Sequence, residues 1–378
     1  MKYYLIAGEA SGDLHGSNLI EALKKTDPDA DFRFWGGDLM QQSGGTLVKH
    51  YRDLAFMGFA EVVLNLPTIL KNISFCKKDI SGYKPDVIIF IDYPGFNLRI
   101  AKWARKEGFR THFYISPQIW AWKENRIKEI RRDIDKMYVI LPFEKNFYRD
   151  KHNFDVEFVG HPLIDAIAQR PAVDKEDFLE KNNLDNRKII ALLPGSRKQE
   201  IAKMLRVMLS ISEDFKKYQF VIAGAPAIGK EFYKEMIGST QSKLVMNQTY
   251  DLLSLSTAAL VTSGTATLET ALFKVPEVVC YKGSALSYQI AKRIIKLDYI
   301  SLVNLIMEKE VVKELIQHEF NRENLKVELE KILNEDNRKR IFYDYYELET
   351  KLGGSGASNK ASELIYRSIM KENGEKGQ

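Results

Sequence analysis

Short apolar runs alternate along most of the chain with longer segments in which apolar residues recur at helical spacing. The first run, residues 3–7, is followed by the turn Gly-Glu-Ala-Ser-Gly-Asp at residues 8–13 and then by an amphipathic stretch at residues 14–25. This order predicts a strand, a turn of small residues and a helix. Further apolar runs occupy residues 87–91, 111–115, 136–141 and 156–159, and then 189–193, 219–223, 258–261 and 277–281.

Continuous apolar runs separated by helical segments predict parallel strands that are buried on both faces. We therefore expect an α/β protein with two doubly wound Rossmann-like domains facing a cleft. Prolines and the charged run at residues 174–177 interrupt the pattern between residues 161 and 184, which predicts domains of residues 1–165 and 166–345. Residues 346–378 contain a glycine-rich stretch and a last amphipathic segment. We expect them to form a helix and tail that packs back on the first domain.

Composition and charge narrow the class of protein. Of the 378 residues 45% are hydrophobic, and 56 Lys and Arg stand against 51 Asp and Glu, a net charge of +5. This composition excludes a disordered chain, but the charge alone does not choose between nucleic acid, anionic lipid and an acidic metabolite as partner. Two cysteines in different halves favour a reducing, cytoplasmic compartment. The apolar runs are too short for a signal-peptide core or a membrane span.

One segment departs from the alternating pattern. Residues 56–70 are densely apolar, and lysines follow at residues 71, 77, 78 and 84. Such a segment is typical of a buried core helix. It also suits an interfacial helix that contacts acyl chains and anionic headgroups. Both interpretations stay open at the level of sequence.

In doubly wound sheets, ligands bind outside the carboxyl ends of the strands, so the residues that end each strand are candidates. Asp92 ends the apolar run 87–91 and precedes a turn. A carboxylate there can take a proton from a substrate hydroxyl, although a helix N-cap or an ion pair would use the same position. His15, early in the first predicted helix, is a second candidate catalyst, and a structural histidine is the alternative.

Two loops of the second domain predict a phosphate site. The sequence Pro-Gly-Ser-Arg at residues 194–197 follows a predicted strand and precedes a predicted helix. The glycine lets a phosphate come close to the backbone, the start of the helix has free N–H groups, and the arginine can bind phosphate through two N–H groups of its guanidinium. The stretch at residues 263–267 has similar features, namely a glycine turn, hydroxyl side chains and the start of a helix. Glu269 can reach the sugar hydroxyls of a nucleotide, or is an acid favoured by the helix dipole. The candidates for binding are Gly195, Ser196, Arg197, Ser263, Gly264, Thr265, Ala266, Thr267 and Glu269.

Several other chemistries lack their motifs in this chain. No His-Glu-x-x-His string occurs and no Asp-x-Asp pair stands beside the predicted phosphate loops, while the Gly-x-Ser-x-Gly elbow of serine hydrolases and the Gly-Lys-Ser/Thr string of Walker-type loops are both missing. We therefore expect a reaction that uses no metal and no other cofactor.

Nine ordered strings make the chain resemble the lipid-A-disaccharide synthase family, glycosyltransferases with two Rossmann-like domains of the GT-B type. One departure is that the family often carries a second acid three residues after the position of Asp92, where this chain has Gly95. This argues against a scheme that needs two carboxylates in that turn. The strings are AGEASGD at 7–13, FMGFAEVV at 56–63, KPDVIIFIDYPGFNLR at 84–99, YISPQIWAWKENRIKEI at 114–130, LPFEKNFY at 141–148, FVGHPLID at 158–165, LLPGSRKQEI at 192–201, SGTATLETAL at 263–272 and SLVNLI at 301–306.

The resemblance implies transfer of 2,3-diacylglucosamine from UDP to the 6-hydroxyl of 2,3-diacylglucosamine 1-phosphate, with inversion. Asp92 would be the base, with His15 and Glu9 as further catalytic candidates, and Arg197 would stabilise the departing diphosphate. Asn304 would join the UDP-sugar site. The residues expected to contact the acceptor or its lipid chains are Ser11, Met57, Val63, Leu64, Leu66 and Trp120.

The expected partners are the UDP-linked acylated sugar, the acylated sugar phosphate and the anionic inner face of the cell membrane, where the protein would be peripheral. No nucleic acid partner is expected, and the oligomeric state is left open. A UDP-sugar 2-epimerase of similar architecture is one alternative, although it would not need an apolar basic surface. A non-catalytic protein that binds nucleotide sugars or lipids is another, and in it Asp92 would only cap a helix.

Overall fold

The computed structural model describes residues 1–54, 66–283 and 298–376, except for the side chains of residues 54, 66 and 372–376. The chain divides into two compact units, one formed by Met1–Ala168 with Leu352–Gln378 and the other by Gln169–Lys351. Each unit is built on a parallel sheet, which confirms the predicted α/β architecture.

In the described part of the first unit, seven parallel strands pair in the order β3-β2-β1-β4-β5-β6-β7. The direction of the order reverses between β1 and β4, where Ala7 pairs with Ile91. Ligands of open α/β sheets bind at such a switch point, beyond the carboxyl ends of the strands. The strands are β1 Lys2–Ala7, β2 Asp31–Gly36, β3 Thr46–His50, β4 Val87–Ile91, β5 Thr111–Tyr114, β6 Lys136–Val139 and β7 Glu157–Phe158.

Alternate residues of these strands supply two separate cores, one on each face of the sheet. Ile88 and Phe90 belong to one core, whereas Val87 and Ile89 belong to the other. This two-sided burial explains why β4 is apolar at every position. The helices of this unit are α1 Ala10–Thr26, α2 Asp38–Gln42, α3 Leu66–Tyr83, α4 Pro94–Lys106, α5 Ile127–Asp133, α6 Pro142–Asn146, α7 Pro162–Ala168 and, at the end of the chain, α16 Ala357–Lys376.

Helix α16 returns to the first unit and packs against α1. Its residues Ala361, Ile365 and Ile369 are fully buried in the same core as Leu19 of α1. Asp165 accepts hydrogen bonds from the backbone N–H groups of Gly356, at 2.6 Å, and Ser358, at 3.4 Å, near the start of α16. The last segment of the chain is therefore an integral layer of the first unit.

In the described part of the second unit, six parallel strands pair in the order β10-β9-β8-β11-β12-β13, and the direction reverses between β8 and β11. The strands are β8 Lys188–Leu193, β9 Tyr218–Gly224, β10 Lys243–Met246, β11 Ser256–Thr262, β12 Glu277–Tyr281 and β13 Lys313–Ile316. The helices are α8 Lys175–Lys181, α9 Lys198–Leu209, α10 Lys230–Ile237, α11 Thr249–Ser254, α12 Thr265–Leu272, α13 Leu302–Met307, α14 Arg322–Leu333 and α15 Glu335–Lys351.

The structure also contains strands that the sequence pattern did not predict. Strands β2, β3, β10 and β13 have charged or polar residues among their apolar ones, so they do not stand out as continuous runs. The unit boundaries also lie a few residues beyond residues 165 and 345. Helix α7 runs on to Ala168 and helix α15 runs on to Lys351, and a boundary inside a continuous helix would cut its packed face.

Candidate active site

The switch point of the first sheet contains Asp92, directly after β4, and Glu9, just after β1. The backbone of Asp92 is left-handed, with φ 45°, and is held by two hydrogen bonds: its N–H donates to Tyr114 O at 3.1 Å, and the Asn97 amide donates to its carbonyl at 2.7 Å. Strained backbone of this kind persists where surrounding contacts fix it, often at functional sites. Asp92 is not the N-cap of α4, because Tyr93 occupies that position.

Burial and the negative charge of Glu9 raise the pKa of Asp92 to about 6. A carboxylate with this pKa is mostly ionised at neutral pH and is a stronger base than an exposed aspartate. The arrangement therefore suits a general base at the end of β4. Glu9 is exposed, as is Ser11 in the first turn of α1.

His15 is half-buried in α1, and its Nδ1 atom has no hydrogen-bond partner among the described residues. Burial lowers the pKa of His15 to about 4, and that of the neighbouring His161 to about 3. His15 is therefore neutral at pH 7 and is a weaker base than Asp92. The unpartnered Nδ1 atom is itself buried, so it is not exposed to a ligand in this structure.

Trp120 lies in the loop after β5, and its indole N–H is already used inside the protein. It donates to Glu144 Oε1 at 3.2 Å, and the same oxygen accepts from Ser116 Oγ at 2.5 Å. Glu144 Oε2 accepts from Leu141 N at 3.0 Å. Glu144 is fully buried, and burial raises its pKa to about 7. Trp120 therefore has a structural hydrogen bond in addition to its half-exposed ring.

Trp122, two residues later, has the accessible ring. Its side chain is 51% exposed, with Lys123 Nζ 4.4 Å and the Arg126 guanidinium 5.7 Å from the ring centre. Neither cation has an ion-pair partner in the described chain. The sequence interpretation named Trp120, and the structure adds Trp122 as the more exposed aromatic group of the same loop.

The predicted lipid contacts fall largely outside the described residues. Met57, Val63 and Leu64 are not described, and Leu66 begins α3 with its side chain outside the description. Further along α3, Leu70 is 55% and Phe75 47% exposed. No helix within the described ranges is both long and apolar enough to cross a bilayer.

In the second unit, the two predicted loops meet at the switch point between β8 and β11. They line one pocket of about 460 Å³, which we call the β8–β11 pocket. Two loops that are far apart in sequence thus form one site with the character expected of a phosphate site: a glycine turn, a helix start and an arginine. The predicted residues that line it are Gly195, Ser196, Arg197, Ser263, Gly264, Thr265, Ala266 and Glu269.

Two predicted residues do not line this pocket. Thr267 is fully buried and its hydroxyl donates to Gly264 O at 2.9 Å, so it stabilises the turn from inside. Asn304 is also fully buried. Its amide donates to Val312 O and Glu314 Oε1, and its carbonyl accepts from two backbone N–H groups. The Asn304 side chain therefore makes all its hydrogen bonds inside the protein, and its assignment to the UDP-sugar site stays a prediction.

Glu269 is half-buried at the pocket wall, and burial raises its pKa, while a hydrogen bond from the Tyr250 hydroxyl opposes the rise. Arg170 stacks on Tyr250 at 5.1 Å and pairs with Asp251 at 2.6 Å. The Tyr250 contact orients Glu269. No pattern in the sequence pointed to Tyr250, because its role depends on a neighbour 19 positions away.

The pocket also contains residues that the sequence interpretation missed. Thr249 and Thr262 line it, and the Thr262 hydroxyl is buried without a hydrogen-bond partner among the described residues. Glu200 lines it as well, and its carboxylate accepts a hydrogen bond from Ser196 N at 3.2 Å. The sequence did contain a signal for Glu200. A glutamate three residues after a helix N-cap is typical of a capping box, in which its side chain accepts a hydrogen bond from the backbone at the start of the helix.

Comparisons with known proteins cover both units of the chain. A family model described as lipid-A-disaccharide synthetase matches residues 3–368. The lipid-A-disaccharide synthase of Syntrophus aciditrophicus is 40% identical over 376 residues, with 97% of each chain covered. That of Coxiella burnetii strain CbuG_Q212 is 36% identical over 372 residues, covering 97% of this chain and 98% of the relative.

Solved structures share the fold at low sequence identity. The UDP-GlcNAc 2-epimerase from Neisseria meningitidis bound to UDP-GlcNAc has a TM-score of 0.67 at 14% identity, covering 98% of this chain and 100% of that one. Such a likeness shows the architecture alone, so the epimerase alternative is not favoured over the whole-chain sequence match. The chain belongs to the lipid-A-disaccharide synthase family.

Proposed function

We propose that this chain is an inverting glycosyltransferase that joins UDP-2,3-diacylglucosamine to 2,3-diacylglucosamine 1-phosphate. The products are the β-1,6-linked disaccharide 1-phosphate of lipid A biosynthesis and UDP. The observation that carries the proposal is the family match over residues 3–368, which includes both the Asp92 turn and the loops of the β8–β11 pocket.

The donor half of the reaction is assigned to the β8–β11 pocket. Arg197 and the free N–H groups at the start of α12 bind the diphosphate, and Glu269 accepts hydrogen bonds from the ribose hydroxyls. The diphosphate gains negative charge as its bond to the sugar breaks. Donors fixed at that position therefore stabilise the transition state more than the bound donor, which lowers the barrier.

The acceptor half is assigned to the end of β4. Asp92 takes the proton of the acceptor 6-hydroxyl while the oxygen forms a bond to the anomeric carbon, on the face opposite the UDP. The bond from that carbon to the β-phosphate oxygen breaks, and its electron pair leaves with UDP. One displacement of this kind inverts the configuration. The raised pKa of Asp92 supports its role as the base.

The proposal includes no metal ion and no cofactor. The negative charge that develops on the leaving diphosphate is balanced by Arg197 and by the positive end of the α12 dipole. These groups supply the positive charge that a metal ion would otherwise add. Added chelator is therefore expected to leave the rate unchanged, and a requirement for a divalent ion would contradict this part of the proposal.

We also propose that the protein works on the cytoplasmic side, bound peripherally to an anionic membrane. Its substrates carry acyl chains that partition into lipid. The exposed Leu70 and Phe75 of α3, with Lys71 and Lys78 beside them, support a contact that combines apolar and basic groups.

The experiment that tests the function measures UDP release from the donor with and without 2,3-diacylglucosamine 1-phosphate. We expect release only when both substrates are present, with a disaccharide phosphate as the second product by mass spectrometry. An epimerised UDP-sugar formed without acceptor would support the epimerase instead. Binding of both substrates without turnover would support a non-catalytic binding protein. Either result would overturn the proposal.

A further inference from the structure

Glu200 places a carboxylate on the loop that is expected to bind phosphate. It is the third residue of α9, and its Oε2 accepts a hydrogen bond from Ser196 N at 3.2 Å, beyond the N-cap residue Arg197. Gly195, with φ 108°, lies so close that a β-carbon on it would be 2.6 Å from Glu200 Cδ. The carboxylate and the loop are therefore packed directly against each other.

Among the described residues, no cation is paired with this carboxylate. Glu200 lines the β8–β11 pocket, is half-buried, and makes no ion pair with any described residue. A fixed negative charge in a site for a diphosphate acts against the ligand. The penalty grows with the charge of the ligand, because Coulomb repulsion scales with the product of the charges.

The donor and the product differ in charge by almost one unit. In a UDP-sugar each of the two phosphates carries one negative charge. When the sugar leaves, the terminal phosphate of UDP regains a second ionisation with a pKa near 6, as in other phosphate monoesters. Above pH 7, UDP therefore carries about three negative charges, against two in the donor.

We propose that Glu200 is a positioning residue that also discriminates between donor and product. It holds the loop at residues 195–197 through Ser196 N, and its charge disfavours UDP relative to the UDP-sugar, which eases product release. This inference rests on the proposed function, because it requires that the β8–β11 pocket binds the UDP moiety.

The test compares Glu200→Gln with Glu200→Ala. Glutamine keeps an oxygen that accepts the Ser196 hydrogen bond and removes only the charge, whereas alanine removes both. The matched control is Glu213→Gln, which removes one negative charge from the same unit outside this pocket. Dissociation constants for UDP and for UDP-2,3-diacylglucosamine are measured by calorimetry in detergent at pH 8, without acceptor.

We expect Glu200→Gln to lower the dissociation constant of UDP about three- to tenfold more than that of the donor. This is the effect expected when one extra unit charge on UDP no longer faces the partly screened charge of Glu200. The product inhibition constant should fall in the same proportion. Glu200→Ala should bind both ligands more weakly than Glu200→Gln, because the loop loses its anchor. Glu213→Gln should leave the ratio of the two dissociation constants unchanged.

Equal changes for UDP and donor in Glu200→Gln, or no change in either, would overturn the proposal. A second measurement varies the charge of the ligand. The extra tightening of UDP in Glu200→Gln relative to the wild type should shrink when the pH is lowered from 8 to 5.5, where the terminal phosphate of UDP loses its extra charge. Extra tightening that stays constant would contradict the inference, whereas a wild-type protein that binds no UDP would instead refute the proposed function.

Discussion

The ring of Tyr93 lies directly against Gly8, so that a β-carbon at residue 8 would be only 2.6 Å from Tyr93 Cε1 and still nearer to Cγ and Cδ1. Tyr93 follows Asp92, and both have left-handed backbone. The turn after β1 and the turn after β4 are therefore packed together through a glycine and an aromatic ring. We therefore expect this contact to help fix the position of Asp92.

We expect Gly8→Ala to displace Tyr93 and, with it, Asp92. Overpacking of this kind destabilises a core by about 1–3 kcal/mol, and a small shift of a base reduces turnover strongly. Thermal unfolding and steady-state turnover measure the two effects. Gly95→Ala is the control, because a β-carbon on Gly95 meets no atom within 4 Å. Equal turnover in the two variants would show that the contact is not needed to place the base.

The pH profile of turnover should have an acidic limb with an apparent pKa of about 6, because a general base acts only when it is ionised. Activity should therefore rise as the pH increases through that value. Glu9→Gln should move the limb to lower pH, since the negative charge of Glu9 helps to raise the pKa of Asp92. Initial rates measured between pH 4.5 and 8.5 give the limb.

Asp92→Asn should lose about 10²- to 10⁴-fold in turnover, with UDP affinity changed by no more than a few-fold. If a folded Asp92→Asn protein kept near-normal turnover, Asp92 would be a structural residue. His15 or Glu9 would then be the next candidates for the base.

Arg197→Ala should impair the use of donor more than Glu269→Ala does. A charge-assisted hydrogen bond contributes roughly 1.5–3 kcal/mol, and the diphosphate gains charge during the reaction, so Arg197→Ala should lower both UDP affinity and turnover. Glu269→Ala should act mainly on binding of the nucleoside. Unchanged UDP affinity and turnover in Arg197→Ala would move the donor site away from the loop at residues 194–197.

Glu144 should make the stability of the first unit depend on pH. Its pKa in the folded state is about 7, above its ordinary value of 4.5, so the fold favours the protonated carboxyl. The contribution of this group is therefore fully present below about pH 4.5 and is lost as the pH rises through about 7. Between pH 5 and 8 the wild type should lose about 2 kcal/mol relative to Glu144→Gln. Urea unfolding of both proteins measures this difference, and parallel stability curves would contradict it.

The membrane contact is tested with vesicles that contain anionic lipid. We expect binding that weakens as salt is raised, because exposed charges are screened beyond roughly 8 Å at physiological ionic strength. Replacing Val63, Leu64 and Leu66 together by serine should reduce vesicle binding and the use of long-chain acceptor. A triple variant that unfolds would favour the core-helix interpretation of residues 56–70. A folded variant that binds normally would move the contact to another surface.

The sequence located candidate residues where the signal comes from residues next to them in the chain. The positions of Asp92 and of the loop at residues 194–197 at strand ends could be predicted because each directly follows an apolar strand, and their roles in the reaction stay predictions. Glu144 and Tyr250 could not be assigned roles, since their importance comes from partners that only the folded chain brings near. Asn304 lies in a family string that suggested ligand binding, and the sequence did not reveal that its buried amide is satisfied by Glu314 and the backbone around β13.

The sequence pattern also did not predict strands that lie at a sheet edge or that contain both polar and apolar residues. Strand β3, at the edge of its sheet, is only half-buried, so its alternation of polar and apolar residues is weak. Strand β13 contains Glu314, a buried acid that accepts hydrogen bonds from Ile300 N and Ser301 N. A sequence pattern does not predict that a charged residue is buried, because the cost of burying it is offset by hydrogen bonds from a segment elsewhere in the chain.

The return of α16 to the first unit has a consequence for biosynthesis. The ribosome must deliver all of Gln169–Lys351 before Ala361, Ile365 and Ile369 can cover the core that contains Leu19. About 340 residues separate α1 from these covering residues, so at ordinary translation rates the apolar side of α1 stays uncovered for roughly 20–70 seconds. The second unit, whose chain is contiguous, can be complete within that interval. The unit that is synthesised first is therefore the last to mature, and during the delay it is the part of the nascent chain that most needs protection from aggregation.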